Sequence, residues 1–454
     1  MKTNKPFGDF EAVAAKAWKQ TIQADLRGGD YNELLTWLSP EGITVKPFYT
    51  SEDLPDGLAG QGNHPFTWQI GHAAFLDSEA GINLAGEALE NGADGLLASV
   101  HPENIAAVST LQGRQGAKWM DAAGFTAEML KEVQKIEDAS CEWLLDPIGG
   151  LVTTGNWQKG MEADLKGLGT PLKESAGKKF LAVHTSHYQN AGANRVQELA
   201  YGLAHVNEYL LWADKAPGIK PLLGEPVFLV AVGNEYFFEI AKLRALRRLW
   251  EILGKSAGLP GKCRIFAFPT RRNKTLYDYN TNMLRTTAEC MAAVLGGADV
   301  VVNAPYDGLY HEPNAFADRI ARNQLLLLRH ESYFASVSNP ADGTYYIESL
   351  TDQLGKKALE LFRTLDKGGG FLRQLREHHI QKKIRESAQA EQQAFEEGKL
   401  ILVGSNKYPN PDDRMKEELQ KNPFVKTRTE KTLIEPILPR RLSESYEQKR
   451  LRDE

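Results

Sequence analysis

The chain has 454 residues, 42% of them hydrophobic and 25% charged, with 54 Lys and Arg against 59 Asp and Glu. This composition supplies a large core, and an α/β barrel of this length can form a single domain. The net charge of −5 gives no overall positive field, so binding to nucleic acid or to an anionic membrane surface is not expected.

The three cysteines, Cys141, Cys263 and Cys290, are scattered along the chain. Their spacing matches neither a disulfide framework nor a CxxC metal site, so reduced thiols in the core are expected. Residues 1–10 are polar, and the longest apolar runs, such as 227–232, are too short for a signal sequence or a membrane span. We therefore expect a cytoplasmic protein.

The hydrophobic pattern predicts a helical N-terminal arm followed by alternating strands and helices. Apolar residues recur at helical spacing over 9–38, interrupted by Gly28 and Gly29, and the pattern changes at about residue 65. The clearest predicted strands are 95–100, 180–184, 226–232, 264–268 and 299–302, and the clearest helices are 195–213, 235–253 and 282–295. Strands that are apolar on both faces predict a parallel sheet covered by helices. At this length a closed TIM (β/α)8 barrel is favoured, and an open doubly wound sheet is the alternative.

Four segments are predicted along the chain. They are an N-terminal arm over 1–60, a barrel domain over 61–350, a helical extension over 351–411 and a charged tail over 412–454. The tail has balanced charge and too few apolar residues for a core of its own. We expect it to pack on another surface or to fray.

Two groups of residues are candidates for a binding site. His184 and His187 bracket the end of a predicted strand, where a barrel places its reacting groups, and a hydrogen-bonded histidine at the barrel rim is the alternative. Arg271, Arg272 and Lys274 follow the strand at 264–268 and can clamp a phosphate-bearing ligand, with a solvated loop or a subunit contact as the alternative. The remaining histidines lack metal-ligand spacing, so no metal site is predicted.

Residues 230–245, VAVGNEYFFEIAKLRA, resemble the strand-and-helix signature of adenosylcobalamin-dependent methylmalonyl-CoA mutase. Further segments agree with this family in chain order, namely 39–43, 46–50, 189–193, 285–297, 316–323, 340–351 and 380–407. The resemblance covers most of the chain, from about residue 9 to about residue 410. It implies a TIM barrel whose channel holds the acyl-CoA substrate in catalytic chains, with a separate cobalamin domain capping the barrel.

The differences from catalytic members resemble those of the small, or beta, subunits of this family. Catalytic chains carry an Asp-x-His-x-x-Gly motif that ligates cobalt, and this motif is absent here. The residues after Pro411 are too few for a further doubly wound domain. The resemblance therefore implies that adenosylcobalamin is bound by a large (alpha) subunit and that no cofactor is bound by this chain.

Active-site positions of the family are only partly kept. His187, preceded by Ser186 instead of the family's tyrosine, and Gln189 are the remnant of the substrate site. Phe266 and Phe268 align with polar ligand contacts of catalytic members, so an apolar channel is expected. Asp307 aligns with a glutamate that contacts the cofactor ribose and is the remnant of that site.

Two residues aligned less securely extend this pattern. Gln69 and Gly71 align with an arginine and a tyrosine of catalytic members, and that arginine would grip the substrate carboxylate. Losing such a clamp and a buried hydrogen-bonding residue typically weakens transition-state stabilisation. Catalysis within this barrel is therefore not expected.

The resemblance thus predicts a non-catalytic small subunit of heterodimeric methylmalonyl-CoA mutase, an isomerase of propionate metabolism that interconverts methylmalonyl-CoA and succinyl-CoA. The N-terminal arm and the tail are expected to contact the large subunit. One alternative is a substrate-binding barrel that uses a separate cobalamin-binding subunit. Another is an inactive module that binds coenzyme A through Arg271, Arg272 and Lys274. The oligomeric state of the isolated chain, the openness of the channel, any regulatory role and the role of the 412–454 tail stay open.

Overall fold

The computed structural model describes residues 11, 13–54, 65, 67–425 and 430–454. The N-terminal arm contains α1 (Ala15–Asp25), α2 (Tyr31–Leu35) and an antiparallel pair, β1 (Trp37–Leu38) with β2 (Thr44–Val45). Helix α2 begins where the Asp30 carboxylate accepts hydrogen bonds from the amides of Asn32 and Glu33, a standard N-cap. The predicted helical arm is confirmed from residue 15, and its first residues, 9 and 10, lie outside the described residues.

Eight parallel strands close into a barrel in the order β10-β3-β4-β5-β6-β7-β8-β9. They are β3 (Gln69–Ala74), β4 (Gly95–Ser99), β5 (Ala117–Ala122), β6 (Cys141–Leu145), β7 (Lys178–His184), β8 (Val227–Val232), β9 (Arg264–Pro269) and β10 (Val300–Val302). The pairing of β10 with β3, with Val301 opposite Ile70, closes the ring. The predicted TIM barrel is confirmed, and the alternative of an open sheet is wrong.

Helices between the strands cover the outside of the barrel. They are α3 (Glu79–Glu90), α4 (Ala127–Val133), α5 (Pro147–Thr154), α6 (Met161–Leu168), α7 (Ser186–Asn190), α8 (Arg195–Ala213), α9 (Tyr236–Ser256), α10 (Thr281–Leu295) and α11 (Ala315–His330). The largest hydrophobic cluster lies between these helices and the strands. A second, separate cluster fills the inside of the barrel, because alternate side chains of each strand point inward.

The C-terminal part adds three helices and a segment that packs on the barrel. The helices are α12 (Tyr345–Lys367), α13 (Phe371–Arg376) and α14 (His379–Glu396), and α15 (Glu444–Asp453) ends the chain. In the tail, the amide of Ile434 donates to the carbonyl of Gly155 at 3.1 Å, and that of Leu442 donates to the carbonyl of Arg272 at 2.9 Å. The described part of the tail is therefore bound to loops that follow β6 and β9. Among the described residues, no helix is both long and apolar enough to span a membrane.

Candidate site at the C-terminal mouth of the barrel

His184, the last residue of β7, lies between two carboxylates at the C-terminal mouth of the barrel. Its Nδ1 is 2.8 Å from Asp146 Oδ2, and its Nε2 is 3.0 Å from Asp121 Oδ1. Asp121 comes from β5, and Asp146 follows β6 directly. The three residues meet because the C-terminal ends of neighbouring parallel strands lie at the same edge of the barrel.

Asp146 is fully buried and is the most heavily hydrogen-bonded carboxylate of this cluster. Its Oδ1 accepts hydrogen bonds from the Gly149 amide at 2.8 Å and from the Tyr209 hydroxyl at 2.7 Å, and it lies 2.8 Å from His205 Nε2. Burial opposes ionisation, but the neighbouring His205 and His184 outweigh it and hold the pKa of Asp146 well below its usual value. Asp146 is therefore a carboxylate, and its amide contact also caps α5.

His184 and His187 differ in charge although their rings are stacked. Burial lowers the pKa of an imidazole, but the carboxylates of Asp121 and Asp146 outweigh this effect and raise the pKa of His184 to about 10. Burial and the charge on His184 lower the pKa of His187 to about 3. The rings are nearly parallel, with centroids 4.9 Å apart. At neutral pH the His184 ring is therefore an imidazolium between two carboxylates, and the neutral His187 ring stacks on its face.

This hydrogen-bond network fixes the position of both histidines and leaves no ring nitrogen of His184 free to accept a proton. Both ring nitrogens of His184 are engaged as donors, so it cannot serve as a general base without losing an ion pair. His187 is neutral, so one ring nitrogen can donate a hydrogen bond and the other can accept one. Asp121 and Asp146 were not candidates from the sequence, although both stand at the end of a strand, which is the one signal that could have identified them.

The other predicted substrate-site residue, Gln189, is held from the neighbouring loop. Its Oε1 accepts a hydrogen bond from the Thr270 hydroxyl at 2.7 Å, and Asn190 Oδ1 accepts one from the Arg271 amide at 2.7 Å. These contacts tie α7 to the segment after β9. Gln189 and His187 both lie in α7, at the mouth, and their role as a substrate site stays a prediction.

Two of the three cations after β9 form ion pairs, of which that of Lys274 is buried and that of Arg272 is partly buried. Arg272 Nε is 2.8 Å from Glu391 Oε2 of α14, and Lys274 Nζ is 2.7 Å from Glu289 Oε2 of α10. Arg271 is exposed, and no ion pair of its side chain occurs within the described residues. The coenzyme A contact through these three residues stays a prediction, with Arg271 as the cation that has no carboxylate partner.

Large side chains fill the centre of the barrel. Trp119 is 1% exposed and packs edge-on against Phe266, with ring centroids 5.1 Å apart. A Cβ added to Gly95 would lie 2.6 Å from the Trp119 ring, and one added to Gly71 would lie 2.6 Å from Val302. The two glycines thus leave the space that the indole occupies. Phe268, nearer the mouth, is partly buried against the same cluster.

The N-terminal end of the barrel interior carries an ion pair. Arg264 Nη1 is 2.7 Å from Glu142 Oε2, and its guanidinium lies 4.2 Å from the centroid of the Phe180 ring. These side chains come from β9, β6 and β7, and Glu142 is paired with Trp119 in the strand register. The expected apolar surface around Phe266 is therefore part of a packed interior.

Residues 172–448 match the family model described as methylmalonyl-CoA mutase. The chain belongs to the methylmalonyl-CoA mutase family. It is 30% identical over 450 residues to the methylmalonyl-CoA mutase small subunit of Porphyromonas gingivalis, covering 89% of this chain and 71% of that protein. It is also 30% identical over 416 residues to the small subunit of Streptomyces virginiae, covering 81% of this chain and 66% of the relative. The methylmalonyl-CoA mutase of Cereibacter sphaeroides is 30% identical over 465 residues, with 86% and 64% covered.

Members of this family are cobalamin-dependent isomerases. Asp307 is the residue for which the resemblance predicts a remnant of a cofactor contact. Its Oδ2 accepts a hydrogen bond from Asn314 Nδ2 at 2.8 Å and lies 3.0 Å from His311 Nδ1, and its side chain is 4% exposed. These contacts hold the carboxylate through Oδ2 only, and a role of Asp307 towards a cofactor ribose stays a prediction.

Proposed function

We propose that this chain is the non-catalytic small subunit of a heterodimeric methylmalonyl-CoA mutase. In this proposal a large (alpha) subunit binds adenosylcobalamin and the acyl-CoA substrate and isomerises methylmalonyl-CoA and succinyl-CoA. This chain supplies interface area and stabilises the large subunit.

The packed barrel interior is the observation that carries the proposal. A substrate chain threaded along the axis would need the volume occupied by Trp119 and Phe266 and by the Arg264–Glu142 pair. Displacing buried aromatic side chains and a partly buried ion pair typically costs several kcal/mol, which binding of a flexible ligand would have to offset. The resemblance to proteins named small subunit supports the same role.

The first experiment is affinity purification of the tagged chain from its native cells, followed by mass determination of every protein that co-elutes in stoichiometric amount. A larger chain that carries Asp-x-His-x-x-Gly in one-to-one ratio is expected. A short cobalamin-binding protein as the only partner would instead favour the alternative of a substrate-binding barrel, and the proposal would be wrong.

A second measurement tests the alternative of an inactive coenzyme A-binding module. Isothermal titration of the isolated chain with coenzyme A is expected to give no heat of binding, because the interior is filled. Saturable binding that is lost in Arg271→Ala would favour the binding module.

A further inference from the structure

A cleft of ≈ 500 Å³ lies on the outside of the barrel between α3 and α11. Helix α3 follows the first barrel strand, β3, and α11 follows the last, β10, so the cleft lies beside the pairing that closes the barrel. Its lining residues are Leu84, Glu87 and Asn91 on the α3 side and Ala315, Asp318, Arg319, Arg322 and Asn323 on α11. None of these belongs to the C-terminal mouth described above.

Asp318 lies in this cleft with an uncompensated carboxylate oxygen. Its side chain is 4% exposed, and its Oδ2 has no hydrogen-bond partner among the described residues. The nearest basic group is His72 Nε2 of β3 at 3.7 Å, which is beyond hydrogen-bond length. Burial and the charge of Arg322 lower the pKa of His72 to about 4, so the imidazole is neutral. A buried carboxylate oxygen without a hydrogen-bond partner is costly and is seldom retained without a reason.

The same cleft offers complementary charges of both signs. Arg319 and Arg322 lie one and four residues after Asp318 on α11, and Arg322 Nε is buried without a hydrogen-bond partner in the described part of the chain. Glu87 on α3 brings a second carboxylate. A simple anion would be repelled by Glu87 and Asp318, and a simple cation by the two guanidiniums. A small molecule that carries both charges can place its positive group beside the carboxylates and its negative group beside the guanidiniums.

We propose that the cleft between α3 and α11 binds a small zwitterion of the α-amino-acid class. Its ammonium group would bind Asp318, and its carboxylate would bind Arg319 and Arg322, whose fork of donors suits a carboxylate. Leu84 and Ala315 supply apolar surface for a short side chain. Such a ligand bridges α3 and α11 and therefore stabilises the closure of the barrel.

The affinity of the cleft for the zwitterion depends on pH because the Asp318 carboxyl takes up a proton. Burial raises the pKa of this carboxyl to about 6, opposed by Arg322 and aided by Asp307. The other groups that face it are His72 of β3, Glu87 of α3 and Arg319 of α11. Because the ammonium group needs the ionised carboxylate, binding weakens as the pH falls through about 6.

The test is isothermal titration of the full chain with each of the standard L-α-amino acids, together with ethylamine and acetate as probes that carry one charge only. At least one amino acid is expected to bind at pH 8, with affinity at least about tenfold above that of either single-charge probe. Binding is also expected to raise the melting temperature, because the ligand binds only the folded chain. Absence of binding by every amino acid would overturn the proposal.

Two variants separate loss of the site from loss of the fold. Asp318→Asn is expected to abolish binding and to raise the melting temperature of the ligand-free chain, because it removes the cost of the buried charge. Glu331→Gln, at an exposed carboxyl just after α11 and outside the cleft, is expected to bind as the unmodified chain does. Unchanged binding by Asp318→Asn would also overturn the proposal. The test is independent of the subunit role, since it needs neither the large subunit nor turnover.

Discussion

At the scale of single residues, the barrel interior depends on one indole and two glycines. Trp119 lies against Gly95 and Gly71, which belong to β4 and β3. Gly95→Ala would place a methyl group 2.6 Å from the Trp119 ring, and overpacking of this kind costs about 1–3 kcal/mol of the free energy of unfolding. We expect urea denaturation of Gly95→Ala to show a loss in that range.

A double-mutant cycle tests whether the Trp119 ring causes the loss of stability in Gly95→Ala. Trp119→Leu leaves space beside residue 95, so Gly95→Ala should cost clearly less in that background than in the unmodified chain. Equal costs in both backgrounds would show that the Ala117 carbonyl oxygen, 2.8 Å from the added Cβ, and not the indole, requires glycine at this position.

His184 gives the chain a pH-dependent stability. Its pKa rises from 6.5 in the unfolded chain to about 10 in the folded one, so the folded state binds the proton more tightly. This contribution is complete below about pH 6.5 and is lost as the pH rises towards 10, and its size is about 5 kcal/mol. Urea denaturation between these pH values should show a falling free energy of unfolding.

His184→Asn should flatten this alkaline decline and lower the stability at pH 7. His101→Asn is the matched control, because His101 also contacts a carboxylate, Asp77 at 3.0 Å, but is 39% exposed and an exposed pair contributes little. An alkaline decline that persists unchanged in His184→Asn would assign it to other groups.

Sequence reasoning placed His184 and His187 at the mouth but not the carboxylates that define their charge. Asp121 lies 63 residues from His184 and Asp146 lies 38 residues from it, and single-sequence periodicity does not report such contacts. Arg272 and Lys274 show the same limit, because the carboxylates that pair with them come from α14 and α10. The sequence predicts which residues stand at the end of a strand. The charge state of their side chains and the partners of their ion pairs depend on contacts that only the folded structure shows.

At the scale of elements, helix α1 is the least supported part of the described chain. None of its side chains is buried, and Trp18 is 55% exposed, with a ring contact to Phe48 at a centroid distance of 6.1 Å. An isolated helix of this length is marginal in water. We therefore expect α1 to pack on the large subunit, and Trp18→Asp should weaken co-elution of the two chains by about tenfold or more, since aromatic anchors dominate interface energy.

Gln23→Asp adds the same charge to an exposed position of the same helix and is the matched control. Circular dichroism of both variants should match the unmodified chain, because the barrel does not depend on α1. Unchanged co-elution of Trp18→Asp would show that the interface lies elsewhere.

Five barrel strands were readable from apolar runs, and three were not. β5 and β6 carry Lys118 and Glu142 within the strand, which interrupts the apolar pattern. Lys118 Nζ lies 3.0 Å from Asp138 on the outside, and Glu142 pairs with Arg264 on the inside. β3 carries Gln69 and His72 in the same way. A charged residue can stand in a buried strand when its partner comes from elsewhere in the fold, and the sequence alone does not reveal that partner.

At the scale of the whole molecule, the described part of the tail connects parts of the barrel that are distant in sequence. Ile434, Ile437 and Leu442 are buried, and Glu447 Oε1 accepts a hydrogen bond from the Leu276 amide at 2.8 Å. The balanced charge of this segment is used in buried pairs such as Arg441 with Glu447 at 2.6 Å. The tail therefore stabilises the loops around the mouth.

The proposal that catalysis occurs in the large subunit can be tested on the assembled enzyme. His187 is the imidazole that the resemblance aligns with a substrate contact of catalytic members, and in this chain it is neutral, stacked on His184 and placed above a filled interior. If the chemistry lies in the large subunit, His187→Asn should leave the turnover of the heterodimer within about twofold of the unmodified enzyme, measured at equal amounts of assembled complex. The same substitution in the equivalent histidine of the large subunit is the control and should lower turnover by about a hundredfold or more, because it removes a positioned hydrogen-bond donor from the reacting carbonyl. A comparable loss from His187→Asn in this chain, with assembly intact by co-elution, would mean that this barrel takes part in catalysis.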